Sequence, residues 1–241
     1  MSNGATLITA TGGRPEAFRL CLRWMERQTW KDPIQWIVVD DFEAPSEVPP
    51  FLKGNPVLCL RPKPFWKFGQ NTLARNLLTA IPHVAHGRVL FIEDDDWYAP
   101  DYIAFMMGRL EHQDVVGETR AHYYHLPTRR GSILKNLFHA SLCQTGIKSE
   151  LLSTLKQICE TPAGNFFDVR LWSNAIADED VITDLVESTR CIGIKGLPGR
   201  PGIGVGHRPD LMREGWTKDA DLSLLRSWIG DDVEAYREFL R

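Results

Sequence analysis

The chain has 241 residues, of which 43% are apolar and 24% charged, and its formal net charge is -3. This composition is ordinary for a globular protein, and the charge favours no particular class of macromolecular partner. No apolar run approaches the ~18 to 20 residues that span a bilayer, and the first residues do not resemble a signal peptide. The five cysteines lack C-x-x-C spacing, which fits reduced thiols better than a disulfide framework. We therefore expect a soluble cytoplasmic protein.

Strands and helices alternate in the first half of the sequence. We predict strands in ATLITA, IQWIVVDD, PVLCL and RVLFIE. We predict helices in RPEAFRLCLRWMERQ, after the first strand, in NTLARNLLTAI, after the third, and in PDYIAFMMGRL, after the fourth. Strands separated by helices form βαβ units, which predict an α/β fold with a mostly parallel sheet flanked by helices. Ligands of such sheets bind beyond the carboxyl ends of the strands.

The alternation breaks after about residue 110. AHYYHLPTRRGSILKN predicts a hairpin that turns at Arg129 to Gly131, and SELLSTLKQIC and FFDVRLWSNAI predict helices. The glycine-rich segment GIKGLPGRPGIGVGHRPD predicts a strand followed by a mobile loop. The last segment predicts one or two amphipathic helices. We therefore expect a smaller mixed region and C-terminal helices after the regular part.

Four consecutive carboxylates, Glu93 to Asp96, follow the apolar strand RVLFI. Two carboxylates about 4 Å apart repel by roughly 4 kcal/mol at an effective dielectric constant near 20. Either the side chains spread into water, with one Asp capping the next helix, or a divalent cation lies among them. Mg2+ and similar hard cations take few protein carboxylates and complete their shell with water and phosphate oxygens. The position at the ligand-binding edge of the sheet favours a metal site beside a diphosphate.

The segment FIEDDDWYAPDYI resembles the D-x-D segment of the GT-A-fold glycosyltransferases, especially the inverting family two. The opening strand, helix and strand ending in Asp are similar to that family's first elements, and NTLARNLLTAI resembles its A-R-N helix. The resemblance covers roughly the first 110 residues. It implies a Rossmann-like GT-A domain in which residues 1–112 bind the nucleotide sugar, and residues 113–241 bind the acceptor and end in helices.

The resemblance implies a metal-dependent glycosyltransferase that uses a nucleotide-diphosphate sugar, with a UDP-sugar favoured, and Mn2+ or Mg2+ as cofactor. Asp95 is the implied direct metal ligand, and His207 from a late loop is a further one. The implied donor-binding residues are Thr9, Thr11, Arg14, Asp40, Asp41, Arg75, Asn76, Glu93 and Asp94. Ordinary turn chemistry also accounts for Thr and Asp at strand ends, and a helix cap also accounts for Asp96.

Inverting transfer also needs a general base for the acceptor hydroxyl, which is an Asp at the start of a helix in the resembled family. NFFDVRLW offers Asp168, which we prefer, although Phe167 stands where the family has Glu. ADEDVI offers Asp180 as a competing base. Either Asp also fits a simple helix cap.

The acceptor is predicted only by class. Basic residues between Arg190 and Lys218, and the aromatic and basic segment RPKPFWKFGQ, fit a saccharide or small molecule, or a DNA in which a hydroxymethylated pyrimidine is flipped out. Carboxylates on an α/β sheet also fit a sugar-phosphate nucleotidyltransferase, or an inactive module that binds a nucleotide or a nucleic acid. The sequence predicts no oligomeric state.

Overall fold

The computed structural model describes residues 3–161, 166–202, 204–208 and 215–240. The strands are β1 (Ala5–Thr11), β2 (Ile34–Asp40), β3 (Phe51–Leu52), β4 (Asn55–Leu60), β5 (Arg88–Phe91), β6 (Trp97–Tyr98), β7 (Val115–Thr119), β8 (His122–His125), β9 (Arg130–Ile133), β10 (Thr145–Lys148), β11 (Thr183–Glu187), β12 (Cys191–Lys195) and β13 (Thr217–Lys218). The α-helices are α1 (Pro15–Glu26), α2 (Leu73–Ala80), α3 (Tyr102–Arg109), α4 (Leu152–Glu160), α5 (Phe167–Ala177) and α6 (Ser223–Ile229). Short 3-10 helices span Ile81–His83, Leu142–Gln144, Ser149–Leu151, Val205–His207 and Gly230–Phe239.

The larger sheet has the strand order β11-β7-β10-β5-β1-β2-β4-β3. Strands β5, β1, β2 and β4 are parallel neighbours, as the alternating pattern predicts, and β11 is parallel to β7. Strand β10 runs antiparallel between β7 and β5, and β3 is antiparallel to β4, so the sheet is mixed and not wholly parallel. The predicted α/β class and the parallel centre of the sheet are confirmed.

Helices cover both faces of this sheet because its central strands are apolar on both sides. In β2, Trp36 and Val38 join the core that contains residues of α1 and α3. Ile37 and Val39, which point to the other face, join the core that contains residues of α2, α4 and α5. Burial on both faces is typical of strands in the interior of a parallel sheet. Packing on both sides fixes the position of the strand ends, and therefore of the side chains that follow them.

The smaller sheet has the order β13-β9-β8-β12-β6. The predicted hairpin is present and forms β8 and β9 of this sheet. Residues 126–129 connect the two strands, slightly before the expected turn at Arg129 to Gly131. The predicted C-terminal helices are also present: α6 begins where Asp219 accepts hydrogen bonds from the Leu224 and Leu225 amides, both at 3.0 Å. Tyr236 in the last 3-10 helix accepts a 3.2 Å hydrogen bond from the Trp24 indole of α1. The end of the chain therefore packs against its first helix.

The predicted halves, 1–112 and 113–241, share one sheet, since β7, β10 and β11 extend the sheet of β1, β2 and β5. Their division into donor and acceptor roles remains a functional proposal. Among the described helices, none combines the length and the apolar character that crossing a membrane requires. All five cysteines are free thiols.

Candidate active site at the carboxyl ends of the parallel strands

The parallel pairing of β1 with β2 and β5 brings three polar chain segments to one edge of the sheet. Thr11 lies opposite Asp40 in the register of β1 and β2, and the Asp41 amide donates a 3.2 Å hydrogen bond to the Thr11 carbonyl. On the other side, the Thr11 hydroxyl donates a 2.7 Å hydrogen bond to Asp94 Oδ2. Arg14, just before α1, donates to Asp94 Oδ1 at 2.9 Å. The strand order alone therefore gathers residues that are far apart in sequence.

Within the acidic cluster, defined as Glu93 to Asp96, two carboxylates are held by neighbouring elements. Asp94 accepts the bonds from Thr11 and Arg14. Asp96 Oδ1 accepts from the Ile194 amide at 3.1 Å and from Lys195 Nζ at 2.7 Å. Helix α3 has Asp101 at its N-cap position, so Asp96 does not cap that helix.

Asp95 is buried and its two carboxylate oxygens have different surroundings. Oδ1 accepts from Lys195 Nζ at 3.3 Å. Among the described residues Oδ2 has no hydrogen bond of acceptable geometry, although His207 Nε2 lies 3.2 Å away and an Arg14 guanidinium nitrogen 3.4 Å away. A buried carboxylate oxygen with an unused lone pair is costly unless a ligand completes it.

The electrostatics of the cluster reflect an excess of carboxylates. Burial raises the pKa of Glu93 to about 8, with Asp96 and Asp95 acting in the same direction and Lys195 and Arg14 opposing them. Burial alone would raise the pKa of Asp95 as well, but Lys195, the His207 contact and Arg14 outweigh burial and hold this pKa far below its usual range. Within the described part of the chain, four carboxylates meet two permanent cations, Arg14 and Lys195, so the fully ionised cluster keeps two surplus negative charges.

These residues fit a divalent cation. Two cis ligands of an octahedral ion, each about 2.1 Å from it, lie about 3 Å apart. The 3.2 Å between Asp95 Oδ2 and His207 Nε2 is close to that separation. The unused oxygen of Asp95 and the two surplus charges of the cluster point to the same conclusion. Carboxylate and imidazole together suit Mn2+, whereas Mg2+ prefers oxygen ligands alone.

Replacing Glu93 by Gln should flatten the pH dependence of stability in the metal-free protein. The pKa of Glu93 is about 8 in the folded chain and about 4.3 in an unfolded one. The folded state therefore binds more protons between these values, and the free energy of unfolding falls as pH rises through the window. Because 36% of the Glu93 side chain is exposed, water screens part of this effect.

The measurement is the melting temperature in EDTA from pH 5 to 8.5. The exposed Glu150→Gln variant is the matched control and should follow the wild type. Parallel pH curves for Glu93→Gln and the wild type would contradict the assignment.

A second polar group surrounds Asp41, directly beyond β2. Asp41 Oδ2 accepts from Arg75 at 3.1 Å and from Asn76 at 2.9 Å, and also from the Thr72 hydroxyl. Asp41 Oδ1 accepts from Arg200 at 2.6 Å. The structure thus brings together Asp41, Arg75 and Asn76, three of the donor-binding residues that the resemblance implies.

Arg200 connects the Asp41 group to the rest of the site. Its guanidinium lies 4.6 Å from the centre of the Trp66 ring, a cation–π distance, and its carbonyl accepts a 3.0 Å bond from Arg14 Nε. Its amide donates to the Gly13 carbonyl at 2.8 Å. The approach of this segment to Gly13 requires glycine at position 199. Its φ is +108°, and a Cβ there would lie 2.4 Å from the Gly13 carbonyl oxygen.

The described part of the glycine-rich segment is therefore packed on the site and differs from the predicted mobile loop. His207 is held in the 3-10 helix Val205–His207, whose Gly206 lies against Lys195 and Tyr123. A Cβ at Gly202 would overlap the His207 ring at 2.1 Å from Nε2, so glycine there lets the ring approach. Residues 203 and 209–214 lie outside the described residues.

Two of the predicted donor residues are not brought into these groups. The Thr9 side chain is fully buried in the sheet and accepts a 2.9 Å hydrogen bond from the Trp36 indole. Asp40 accepts from the Phe42 amide at 3.1 Å and from the Ser46 amide at 2.7 Å, which is ordinary turn chemistry. Side chains alternate in direction along a strand, and this explains why Asp41 faces the site and Asp40 does not.

The two candidate bases lie at opposite edges of the sheet. Strand β11 is parallel to β7, and β7 runs in the same direction as β5 because β10 is antiparallel to both. Asp180 is exposed and precedes β11, so Asp180 lies at the amino ends of these strands. Helix α5 runs back from the carboxyl-end edge, and Asp168 lies in its first turn. One turn later, Trp172 donates a 3.1 Å bond to Thr145, the first residue of antiparallel β10. The structure therefore places Asp168, and not Asp180, on the side of the acidic cluster.

Burial raises the pKa of Asp168, while the Val169 amide and His139 act in the opposite direction. The segment that contains His139 continues to Ser141, whose hydroxyl is 2.9 Å from the Tyr123 hydroxyl. The Tyr123 ring lies 5.5 Å from Lys195 Nζ. The segment of His139 therefore reaches the acidic cluster, while Asp168 itself makes no direct contact with the cluster among the described residues.

Lys195, Arg200 and Thr72 contact the carboxylates of the site, and the sequence did not assign them to the donor site. Lys195 and Arg200 belong to the basic segment from Arg190 to Lys218, which the sequence analysis associates with the acceptor. Pairing of β12 with β6 and β8 brings Lys195 to the acidic cluster, and a pattern of charges along the chain contains no sign of that pairing.

No family model matches the chain, and no curated protein is similar to it in sequence. Similar solved structures include S. aureus TarS, with a TM-score of 0.56 and 12% identity over 79% of this chain and 36% of that one. TarS 1-349 in complex with UDP-GlcNAc has a TM-score of 0.57 and 14% identity over 82% of this chain and 60% of that one.

A third similar structure is the mannosyltransferase PcManGT from Pyrobaculum calidifontis in complex with GDP-Man and Mn2+, with a TM-score of 0.56 and 17% identity. That match covers 80% of this chain and 57% of the other. The chain thus spans between 36% and 60% of the length of these three structures. Likeness at such identities concerns the fold, and it confirms the prediction made from the resemblance of the D-x-D-like segment and the first elements: the chain has the GT-A fold.

Proposed function

We propose that the protein is a metal-dependent glycosyltransferase that moves a sugar from a nucleotide-diphosphate sugar to an acceptor hydroxyl with inversion. The observation that carries the proposal is Asp95 Oδ2, which has no well-aligned hydrogen bond among the described residues and lies 3.2 Å from His207 Nε2, at the same sheet edge as the Asp41 group. Strands β2 and β5 flank β1, so their ends lie about 10 Å apart. A nucleoside diphosphate bridges two such groups, with its base and ribose at Asp41 and its phosphates at Asp95.

The donor side of the mechanism follows from the charges on this edge. Asp95 and His207 would hold a divalent cation, which when bound supplies Lewis-acid stabilisation of the departing diphosphate. Arg14 contacts both Asp94 and Asp95 and is partly exposed, so its guanidinium is placed to donate to a phosphate oxygen. UDP and GDP-sugars, as bound by the similar structures, are the donors to test, with a UDP-sugar favoured.

Asp168 is the proposed base. It removes the proton of the acceptor hydroxyl as that oxygen bonds to the anomeric carbon, and the bond from that carbon to the diphosphate breaks on the opposite face. Attack from the opposite face inverts the configuration. A carboxylate whose pKa is raised by burial is a better proton acceptor near neutral pH than an ordinary Asp.

The acceptor remains open between two classes. Phe138 is 80% exposed and directly precedes His139 in the sequence. Phe166 is 65% exposed and lies two positions before Asp168. Exposed aromatic rings beside a base suit the apolar face of a saccharide, which is the acceptor we favour, and they also suit a flipped pyrimidine. A saccharide panel and a DNA containing hydroxymethylated pyrimidines, titrated at several salt concentrations, separate the two classes.

A thermal-shift panel of UDP- and GDP-sugars with and without Mn2+ tests the proposal. A donor at 100 times its dissociation constant stabilises the folded state by about 2.7 kcal/mol, or roughly 5 to 10 °C in melting temperature. We expect such a shift for one donor, and only with the metal. Nucleoside triphosphate plus sugar 1-phosphate tests for nucleotidyl transfer instead. Absence of a shift with every donor would contradict the proposal.

A further inference from the structure

Lys195 has an unusual position for a lysine because its side chain is almost entirely buried, with 4% exposed. It is the last residue of β12, and Tyr123 and Gly206 pack against its stem. Its ammonium group lies 2.7 Å from Asp96, 3.3 Å from Asp95 and 3.5 Å from Glu93, measured to the nearest carboxylate oxygens. A buried lysine keeps its charge only where carboxylates surround it in this way.

The same three carboxylates have the geometry of a second cation site. Glu93, Asp95 and Asp96 each offer an oxygen, and these oxygens all lie within 4.8 Å of one another. The Lys195 ammonium contacts all three carboxylates, and in Asp95 the oxygen that it contacts is Oδ1. Oδ2 of the same carboxylate faces His207 and Arg14. Asp95 therefore has the Lys195 ammonium on Oδ1, and on Oδ2 it has Arg14 at 3.4 Å together with the position of the proposed exchangeable ion beside His207.

We infer that Lys195 is a built-in cation that occupies the Glu93, Asp95 and Asp96 set and thereby limits the donor site to one divalent ion, at Asp95 Oδ2 and His207. This inference rests on the proposed metal site. It makes Lys195 a positioning residue, which holds Oδ1 of Asp95 so that Oδ2 is presented to the ion. It also explains why a basic residue far along the chain lies beneath the acidic cluster.

Charge arithmetic shows what the lysine prevents. With Arg14 and Lys195 present, the cluster with all four carboxylates ionised carries two surplus negative charges, which one divalent ion balances. Without the ammonium group the surplus is three, so one divalent ion leaves one negative charge unbalanced and Oδ1 of Asp95 has no counter-ion. A second divalent ion is then favoured there, since paired metal sites about 3.5 to 4 Å apart share bridging carboxylates of this kind.

The test counts Mn2+ ions bound per chain, by equilibrium dialysis against Mn2+ alone and by electron paramagnetic resonance. Lys195→Met keeps the length and the apolar stem but removes the charge, and we expect two ions in place of one, with a broadened, spin-coupled spectrum. Lys195→Arg keeps the charge and should bind one. Lys148→Met is the matched control, because Lys148 pairs with Asp114 at 2.8 Å at the other edge of the sheet, and it should also bind one.

Two ions or none in the wild type, or one ion with unchanged affinity in folded Lys195→Met, would overturn the inference. If Lys195→Met does not fold, the counts for the wild type and Lys195→Arg carry the test. Donor binding in the thermal-shift panel decides the proposed function separately. A wild type that binds a nucleotide sugar together with two Mn2+ ions leaves that function standing and removes the role of Lys195.

Discussion

Replacing Asp95 by Asn should abolish the metal dependence of donor binding and lower kcat/KM by at least about 10²- to 10³-fold, the cost of losing one charge-stabilising group at a reacting centre. Asn keeps the size of Asp95, but its amide lacks the negative charge that a divalent ion requires. The Oδ1 contact with Lys195 and the Oδ2 position beside His207 both depend on that charge. The measurements are donor affinity with and without Mn2+, and initial rates of transfer.

Asp180→Asn is the matched control for Asp95→Asn, since Asp180 is an exposed aspartate at the opposite edge of the sheet. It should keep the donor affinity, the metal dependence and the rate of the wild type. Asp95→Asn must also retain its circular dichroism spectrum, because removing a buried charge that pairs with Lys195 leaves that ammonium less well balanced. If folded Asp95→Asn still binds donor only when Mn2+ is present, Asp95 is not the metal ligand.

The sequence predicts the first half of the fold well because local patterns suffice there. Apolar runs, separated by helices with an apolar stripe, describe β1, β2, β4 and β5 and α1 to α3. The same patterns failed for β7, β10 and β11, which we did not predict. Gly117 in β7 leaves space for Ala140 and Trp172, and Gly146 in β10 leaves space for Leu90. Such strands are specified by what packs on them, and glycine weakens the local signal.

The candidate site shows the same limit. Its acidic cluster and the Arg75 and Asn76 pair are visible in the sequence, because short motifs lie next to strands whose direction can be predicted. The partners of those residues are not visible. Arg200 reaches Asp41 across 159 positions of the chain, and Lys195 reaches Asp96 across 99. Both contacts depend on how β12 and the segment after it cross the edge of the larger sheet.

Replacing Asp168 by Asn should lower kcat by about 10²- to 10⁴-fold, the range for a lost general base, while the donor affinity and its Mn2+ dependence stay unchanged. We expect kcat to fall without a change in donor affinity because Asp168 lies in the first turn of α5. Among the described residues it has no direct contact with the acidic cluster or the Asp41 group. The measurements are kcat with a saturating acceptor, and the donor-induced thermal shift.

The pH profile gives a second readout of the same base. Burial raises the pKa of Asp168 from its ordinary value, so the rate of the wild type should rise with pH as this carboxyl ionises. Asp168→Asn should lose that limb of the profile, and Asp180→Asn should keep it. If Asp168 merely stabilises the first turn of α5, where it accepts a 2.8 Å hydrogen bond from the Val169 amide, its loss would instead lower the melting temperature and leave the pH profile in place. Full activity in Asp168→Asn with loss of activity in Asp180→Asn would require an acceptor bound at the amino ends of the strands, far from the proposed donor site.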